Sequence, residues 1–550
     1  MRSRRGIPVP MADGTTLPTD HYRPSGGGPG PTVLVRSPVG RIPMGLLYGQ
    51  YFTRHGFHVV VQETRDALHA TGSWQGPEGE REDGLATVDW MWQQPWFDGT
   101  FVMYGSSAQG HTQWTLAHGV PECRAMSVQI CAADLSQAVF PGGAFALESA
   151  LFWCVSRDHT RLATLPHRVR RALASGRPLD ELDTVAGGKP VPAYQELLDS
   201  QDPGSALRTR IDARHLVDAA TVPVHMVAGW HDVFLPGQLR DYGALRAAGH
   251  RPYLTIGPWS HCDRRMLPTA LREAAAFFRS HLTPGTDPLR PSPVRLYVTG
   301  AGQWRTYPDW PPPPAVRPRA WYLLPGGGLG PLPPRGPEPP SRYRYDPADP
   351  TPVPRGPVVF GDSRPEDCRP LEGRPDILVF TSDPLPAPLE VVGPVTAEVF
   401  LRSSREHTDC AVRLCDVHLD GASVNVCEGV RRLTPADGDG VRRVSVELWP
   451  VAHRFAAGHR LRVHLCSGGH PRIARHSGGA DLRDGGGVLL PAEQEIFHDV
   501  GRPTAIHLPL HAVGHEHVET ARAPDHADEL PQWAADFTLP TAAGPATELW

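Results

Sequence analysis

Short, continuous apolar runs rich in β-branched residues recur through the first half of the chain, at 32–35, 58–61, 101–104, 126–131, 222–228 and 253–256. Runs of this length with no polar alternation predict strands buried on both faces of a parallel sheet. The segments between them change period. Leu85, Val88 and Trp92 fall at i, i+3 and i+7, and Leu271, Ala275, Phe278 and Leu282 at i, i+4, i+7 and i+11. Each set is an apolar stripe on one helix face. Strands alternating with amphipathic helices predict an α/β sheet.

From 134 to 220 the strand signal fades, and segments such as HRVRRALASG and PVPAYQELLDS are helical and polar. They predict a helical cap inserted into the sheet domain. Near 310 the texture changes again at the proline-rich WPPPPAVRPRAW. Beyond it come short alternating strands, VTAEVFLRSS, DCAVRLCDVHL, RRVSVELWP, RLRVHLCSG and TAIHLPLHA, separated by Gly and Asp turns. Regular short strands of this kind predict an all-β jelly roll. The expected organisation is an α/β core at 1–133 and 221–312, the cap at 134–220, a jelly-roll β domain at 313–511 and an acidic tail at 512–550.

Composition narrows the function classes. At 550 residues the chain is long enough for two or three domains. Its 40% hydrophobic and 21% charged residues are ordinary for a globular protein. A net charge of −5 argues against a nucleic-acid partner. The tail alone carries seven acidic residues against Arg522. No apolar run approaches the ~18–20 residues of a membrane span. The basic N-terminus lacks the apolar stretch of a secretory signal, so a cytoplasmic location is expected. The nine cysteines form no C-x-x-C pair and read as small buried hydrophobes. His511, His515 and His517 lie in or beside the tail without a supporting strand and are not expected to bind metal. His470 and His476, beside Gly468 and Gly469, are expected on a jelly-roll loop. The Gly-rich runs PSGGGPGP and PGGGLGP lack the Lys-Ser/Thr of a phosphate cradle.

The strand ending at Tyr104 runs into Gly105-Ser106-Ser107-Ala108-Gln109-Gly110 and a helix-compatible HTQWTLAHG. A serine among small residues at a strand-to-helix turn is a nucleophile elbow. The register G-x-S-x-x-G selects Ser107, because centring on Ser106 puts Tyr104 where a small residue is needed. The helix N-terminus behind the elbow favours a developing oxyanion. Two more candidates follow strand ends, where open α/β sheets place their chemistry. Asp232 follows the strand 222–228, and His261 follows the strand beginning at 253. The order Ser, Asp, His is that of α/β-hydrolases. In such a triad His261 takes the Ser107 proton and Asp232 orients His261.

These residues resemble the cocaine-esterase / Xaa-Pro dipeptidyl-peptidase group of α/β-hydrolases. The likeness rests on DGTTLPTDHYRP, QETRDALHATGSW, DWMWQQPWFDGTFVMYGSSAQGHTQW, AGWHDVF and IGPWSHCD. Towards the C-terminus it continues in DCAVRLCDVHLDGASVNVCEGVRR, FAAGHRLRVHLCSGGHPR and HDVGRPTAIHLPL. The resemblance implies an α/β-hydrolase domain with a helical cap, a C-terminal jelly roll, and cleavage of esters or amides through an acyl-enzyme on Ser107, Asp232 and His261. It implies no metal and no organic cofactor.

Two positions depart from the family pattern. Where the family carries a tyrosine whose hydroxyl reaches the oxyanion, this chain has Val39, in Arg36-Ser37-Pro38-Val39-Gly40. Where a second tyrosine follows the nucleophile, it has Ala108, whose backbone N–H remains an oxyanion donor. The leading expectation is a hydrolase for a small-molecule ester or amide. An acyltransferase or cyclising enzyme using the same acyl-enzyme, and a catalytically silent binding protein, are the alternatives. No membrane partner is expected, and the jelly roll is a surface through which a homodimer could form.

Overall fold

The structure is a computed structural model and describes residues 2–511, except 43, 66–75, 157–163, 314–317, 436–439, 481–482 and 484–488. The acidic tail, with His515 and His517, lies outside the described residues. Contacts divide the chain into two compact units. Among the described residues, one holds those up to Ser136 with Pro203–Arg295; the other holds Gln137–Asp202 with those from Leu296 to His511.

The first unit is a twisted sheet in the order β1-β2-β4-β3-β5-β6-β7-β8. Its strands are β1 (Arg2–Pro10), β2 (Thr16–Arg23), β3 (Gly30–Ser37), β4 (His58–Glu63), β5 (Phe97–Ser106), β6 (Cys123–Gln129), β7 (Val224–His231) and β8 (Tyr253–Ser260). From β4 through β8 every neighbouring pair is parallel. Each of the six apolar runs expected as strands lies on one of these six parallel strands. They are buried on both faces, as a parallel sheet covered by helices requires. Helices Met44–Arg54 and Leu267–Leu282 cover one face, where Tyr48, Phe52, Phe277 and Phe278 pack against Val33, Val59 and Val102. The stripe Leu271, Ala275 and Phe278 is fully buried in this layer.

The helix Gly76–Trp92 corrects one expectation. Its buried stripe is Gly84, Thr87, Val88 and Met91, while Trp92 is 54% exposed. Trp92 lies on the rim, edge-on to Phe97, with its indole N–H donating to Glu122 Oε1 at 3.1 Å. An indole can cap a rim in this way because one end is apolar and the other hydrogen-bonds.

The second unit joins a helical segment to an all-β jelly roll. The helices Leu147–Ser156, Leu165–Leu173, Leu182–Gly187 and Pro192–Asp199 occupy the stretch expected to be a cap. Within the unit they meet the β domain through Phe152, stacked on Phe360 at 4.2 Å, and through Arg483, which pairs with Asp199 and Gln195. The strands read from alternation are present: Thr396–Ser403, Thr408–Val417, Arg442–Glu447, Arg460–Cys466 and Ala505–Leu508. Alternate residues point inward, so Ala397, Val399 and Leu401 meet Val444 and Val446 in one apolar core with Leu461, Val463 and Leu465. Eight of the nine cysteines are buried and none is paired in a disulfide. Among the described residues no helix is long and apolar enough to cross a membrane.

Candidate active site

The strand β5 ends at Ser106, and a four-residue helix, Ala108–His111, starts two residues later. The helical signal of HTQWTLAHG resolves differently from expectation, as this short helix followed by a 3₁₀ turn, Thr112–Leu116. Between strand and helix Ser107 takes φ 57°, ψ −128°, a conformation L-residues rarely adopt. Backbone strain of this kind costs of order 1–3 kcal/mol and persists only where the surroundings enforce it. The surroundings here are close. A Cβ on Gly105 would lie 2.4 Å from the Gln109 carbonyl oxygen, and one on Gly110 would lie 2.9 Å from the Cys131 Cβ. Both glycines of the G-x-S-x-x-G register are therefore demanded by the turn.

The turn decides between the two serines. Ser106 Oγ faces Gln129 Oε1 at 3.4 Å, on the sheet side. Ser107 Oγ lies 2.9 Å from His261 Nε2, and His261 Nδ1 lies 2.8 Å from Asp232 Oδ2. The three residues sit just beyond the carboxyl ends of β5, β7 and β8. Asp232 is fully buried and His261 nearly so. The other Asp232 oxygen accepts from the Phe234 N–H at 2.6 Å, which fixes the carboxylate in the plane that His261 meets. The Phe234 ring lies 5.2 Å from the His261 ring. His231 is the last residue of β7, beside Asp232 in the chain.

The oxyanion side is held by a polar tie that the sequence did not reveal. Gln109 Nε2 donates to Ser37 Oγ at 3.0 Å, and Ser37 Oγ donates to the Gly40 carbonyl at 2.5 Å. The Tyr48 hydroxyl donates to Gln109 Oε1 at 3.3 Å. Arg41 extends the tie by pairing with Asp20 and Glu63. The loop carrying Val39 is thus pinned to the elbow at its first residue. Val39 itself is 41% exposed and offers no side-chain donor. As the first residue of its helix, Ala108 has no intrahelical acceptor for its N–H.

Beneath the elbow runs a second Ser–His–carboxylate arrangement that sequence spacing could not reveal. Ser106 leads through Gln129 to Ser127, whose Oγ lies 2.8 Å from His225 Nδ1. His225 Nε2 lies 3.2 Å from Glu273 Oε2. All three side chains are buried in the core, and Glu273 is also paired with Arg290 and Arg295. Burial lowers the His225 pKa even though Glu273 opposes it. A neutral histidine sealed from solvent can hold the sheet together but cannot meet a substrate.

The chain is similar to known proteins over most of its length. A family model described as X-Pro dipeptidyl-peptidase (S15 family) matches residues 13–263. A second, described as X-Pro dipeptidyl-peptidase C-terminal non-catalytic domain, matches residues 289–506. A cocaine esterase of Rhodococcus sp. (strain MB1 Bresler) is 32% identical over 567 residues, covering 92% of this chain and 98% of that protein. Among solved structures, an aminopeptidase from a marine-sediment Thaumarchaeota archaeon superposes with a TM-score of 0.79 at 21% identity, covering 93% of this chain and 96% of that one. An α-amino acid ester hydrolase superposes with a TM-score of 0.78 at 22% identity, with the same coverage of both chains.

Proposed function

The chain belongs to the X-Pro dipeptidyl-peptidase (S15) family, whose members of this kind are serine hydrolases of ester or amide bonds, and from that premise we propose that Ser107, His261 and Asp232 cleave a small-molecule ester or amide through an acyl-enzyme. The observation that carries the reading is the unbroken pair of contacts, Ser107 Oγ to His261 Nε2 at 2.9 Å and His261 Nδ1 to Asp232 Oδ2 at 2.8 Å. His261 Nε2 takes the proton as Ser107 Oγ bonds to the substrate carbonyl carbon. Asp232 steadies the imidazolium that results. The Ala108 N–H donates to the oxyanion. Collapse of the tetrahedral species breaks the bond to the leaving alcohol or amine, which carries away the His261 proton. Water then attacks the acyl-serine by the same route in reverse, releasing the acid and restoring Ser107.

Hydrolysis is favoured over acyl transfer because the similar proteins are an esterase, an aminopeptidase and an ester hydrolase by name. Labelling with a fluorophosphonate tests the proposal. The wild type is expected to label and Ser107→Ala to remain unlabelled, while Ser106→Ala labels as the wild type does. A folded wild-type protein that does not label would sink the acyl-enzyme. Labelling that survives Ser107→Ala would move the nucleophile elsewhere.

A further inference from the structure

At one end of the β domain a single carboxylate is surrounded by imidazoles. Asp416 is the penultimate residue of the strand Thr408–Val417, and His418 directly follows the strand, two residues after Asp416. Two residues along an extended chain return to the same face, so the D-x-H spacing turns both side chains one way. His459 comes from the turn that precedes the strand Arg460–Cys466. Asp416 Oδ1 lies 2.8 Å from His459 Nδ1, and Asp416 Oδ2 lies 3.6 Å from His418 Nε2. The three ligand atoms fall within 4.8 Å of one another. A third imidazole, His453, stands behind the carboxylate, with Nε2 3.2 Å from Asp416 Oδ2 and Nδ1 2.9 Å from Thr299 Oγ1.

We propose that Asp416, His418 and His459 form a binding site for a divalent transition-metal ion of the zinc class, with His453 positioning the carboxylate. Imidazole and carboxylate are the donors such ions take, at about 2.0–2.2 Å. Tetrahedral ligands at that bond length stand about 3.4 Å apart, a spacing that ligand atoms already within 4.8 Å of one another reach by small side-chain rotations. The side-chain exposure is graded as a metal site requires. Asp416 is buried, His459 is 17% exposed and His418 is 40% exposed, so an ion can enter from solvent and keep a fourth position for water. His453 supplies what ligating carboxylates usually have, a hydrogen bond that fixes their orientation. Binding requires little rearrangement: the ion takes the place of the proton on His459 Nδ1, and the ring carries its proton on Nε2 instead.

The charge environment separates this cluster from the other group of metal-type ligands, Cys368, Cys415 and His464. There Arg413 Nη1 lies 3.4 Å from His464 Nδ1, so a fixed cation already occupies the ground a metal would need. Among the described residues the ion-pair partners of Asp416 are three histidines. The bound ion would clip the hairpin turn at 418–422, where the His418 N–H meets the Ala422 carbonyl, to the turn at 456–459.

Zinc alone is the probe. The full chain is stripped with a chelator and titrated with Zn²⁺ in competition with a chromogenic chelator. One tight equivalent per chain is expected for the wild type and for Cys368→Ser. At least a tenfold weaker site is expected for His418→Ala and for His459→Ala. Ser107 labelling by fluorophosphonate should be unchanged in all of these variants, which reports that each is folded. No competed zinc in the wild type overturns the proposal. So does a site that survives His418→Ala, or one that is lost in Cys368→Ser.

Discussion

Replacing Val39 by tyrosine should make the enzyme faster. The loop that carries Val39 is already fixed, through Gln109 to Ser37, Ser37 to Gly40, and Arg41 to Asp20 and Glu63. What position 39 lacks is a side-chain donor. One oxyanion donor is worth about 10²–10³ in kcat, or roughly 2.7–4 kcal/mol. Ordering a phenol ring on a partly exposed loop costs about 1 kcal/mol of that. The remainder corresponds to a gain of about ten- to a hundredfold, since each ~1.4 kcal/mol is a factor of ten. Val39 is 41% exposed, so the larger ring meets solvent and folding stability should change by no more than about 0.5 kcal/mol. The assay is hydrolysis of a p-nitrophenyl ester, with active sites counted by fluorophosphonate titration. Val39→Phe is the control, carrying the ring without the hydroxyl. If Val39→Tyr gains no more than Val39→Phe, either residue 39 does not face the oxyanion or another donor already serves it.

Two further perturbations probe groups that tertiary contacts brought together. Gln109→Leu removes two buried hydrogen bonds, to Ser37 and from Tyr48, each worth about 1 kcal/mol. It should lower the urea midpoint by the equivalent of about 1–2 kcal/mol and reduce kcat while leaving fluorophosphonate labelling possible; an unchanged midpoint and rate would show that the tie is idle. Asp241 is buried, accepts from the Ala133 N–H at 2.8 Å, and has its pKa pushed up to about 7 by burial. A carboxyl raised in the folded state holds a proton that the unfolded chain releases near pH 4, so its contribution to stability is lost as pH rises from about 4 to about 7. At ~1.4 kcal/mol per unit the loss over about three units is on the order of 4 kcal/mol. Asp241→Asn should therefore gain stability relative to the wild type between pH 4 and pH 8 in denaturant unfolding, and parallel pH profiles would refute the assignment.

Much of this molecule was legible along the chain, because the signals are local. Apolar runs of four to seven residues marked the parallel strands, and alternation marked the β domain. The G-x-S-x-x-G register singled out Ser107 because a sharp turn excludes side chains at Gly105 and Gly110, where a Cβ would meet Gln109 and Cys131. Asp232 and His261 were readable because strand ends position chemistry in such sheets. The helical stripe through Trp92 misled because periodicity says which residues share a face, not where the core stops. Its neighbours Gly84, Thr87, Val88 and Met91 form the buried face instead.

Tertiary structure alone decided the remaining features, and distance along the chain is the reason. Gln109 reaches Ser37 across 72 residues, Ser127 meets His225 across 98, and His459 meets Asp416 across 43. Each pairing depends on strand order and register, which composition and spacing do not encode. A chain of 27 histidines offers many such partners on paper. Burial and packing select among them: His261 stands beside the half-buried Ser107, His225 is sealed in the core, and His418, His453 and His459 gather around one carboxylate.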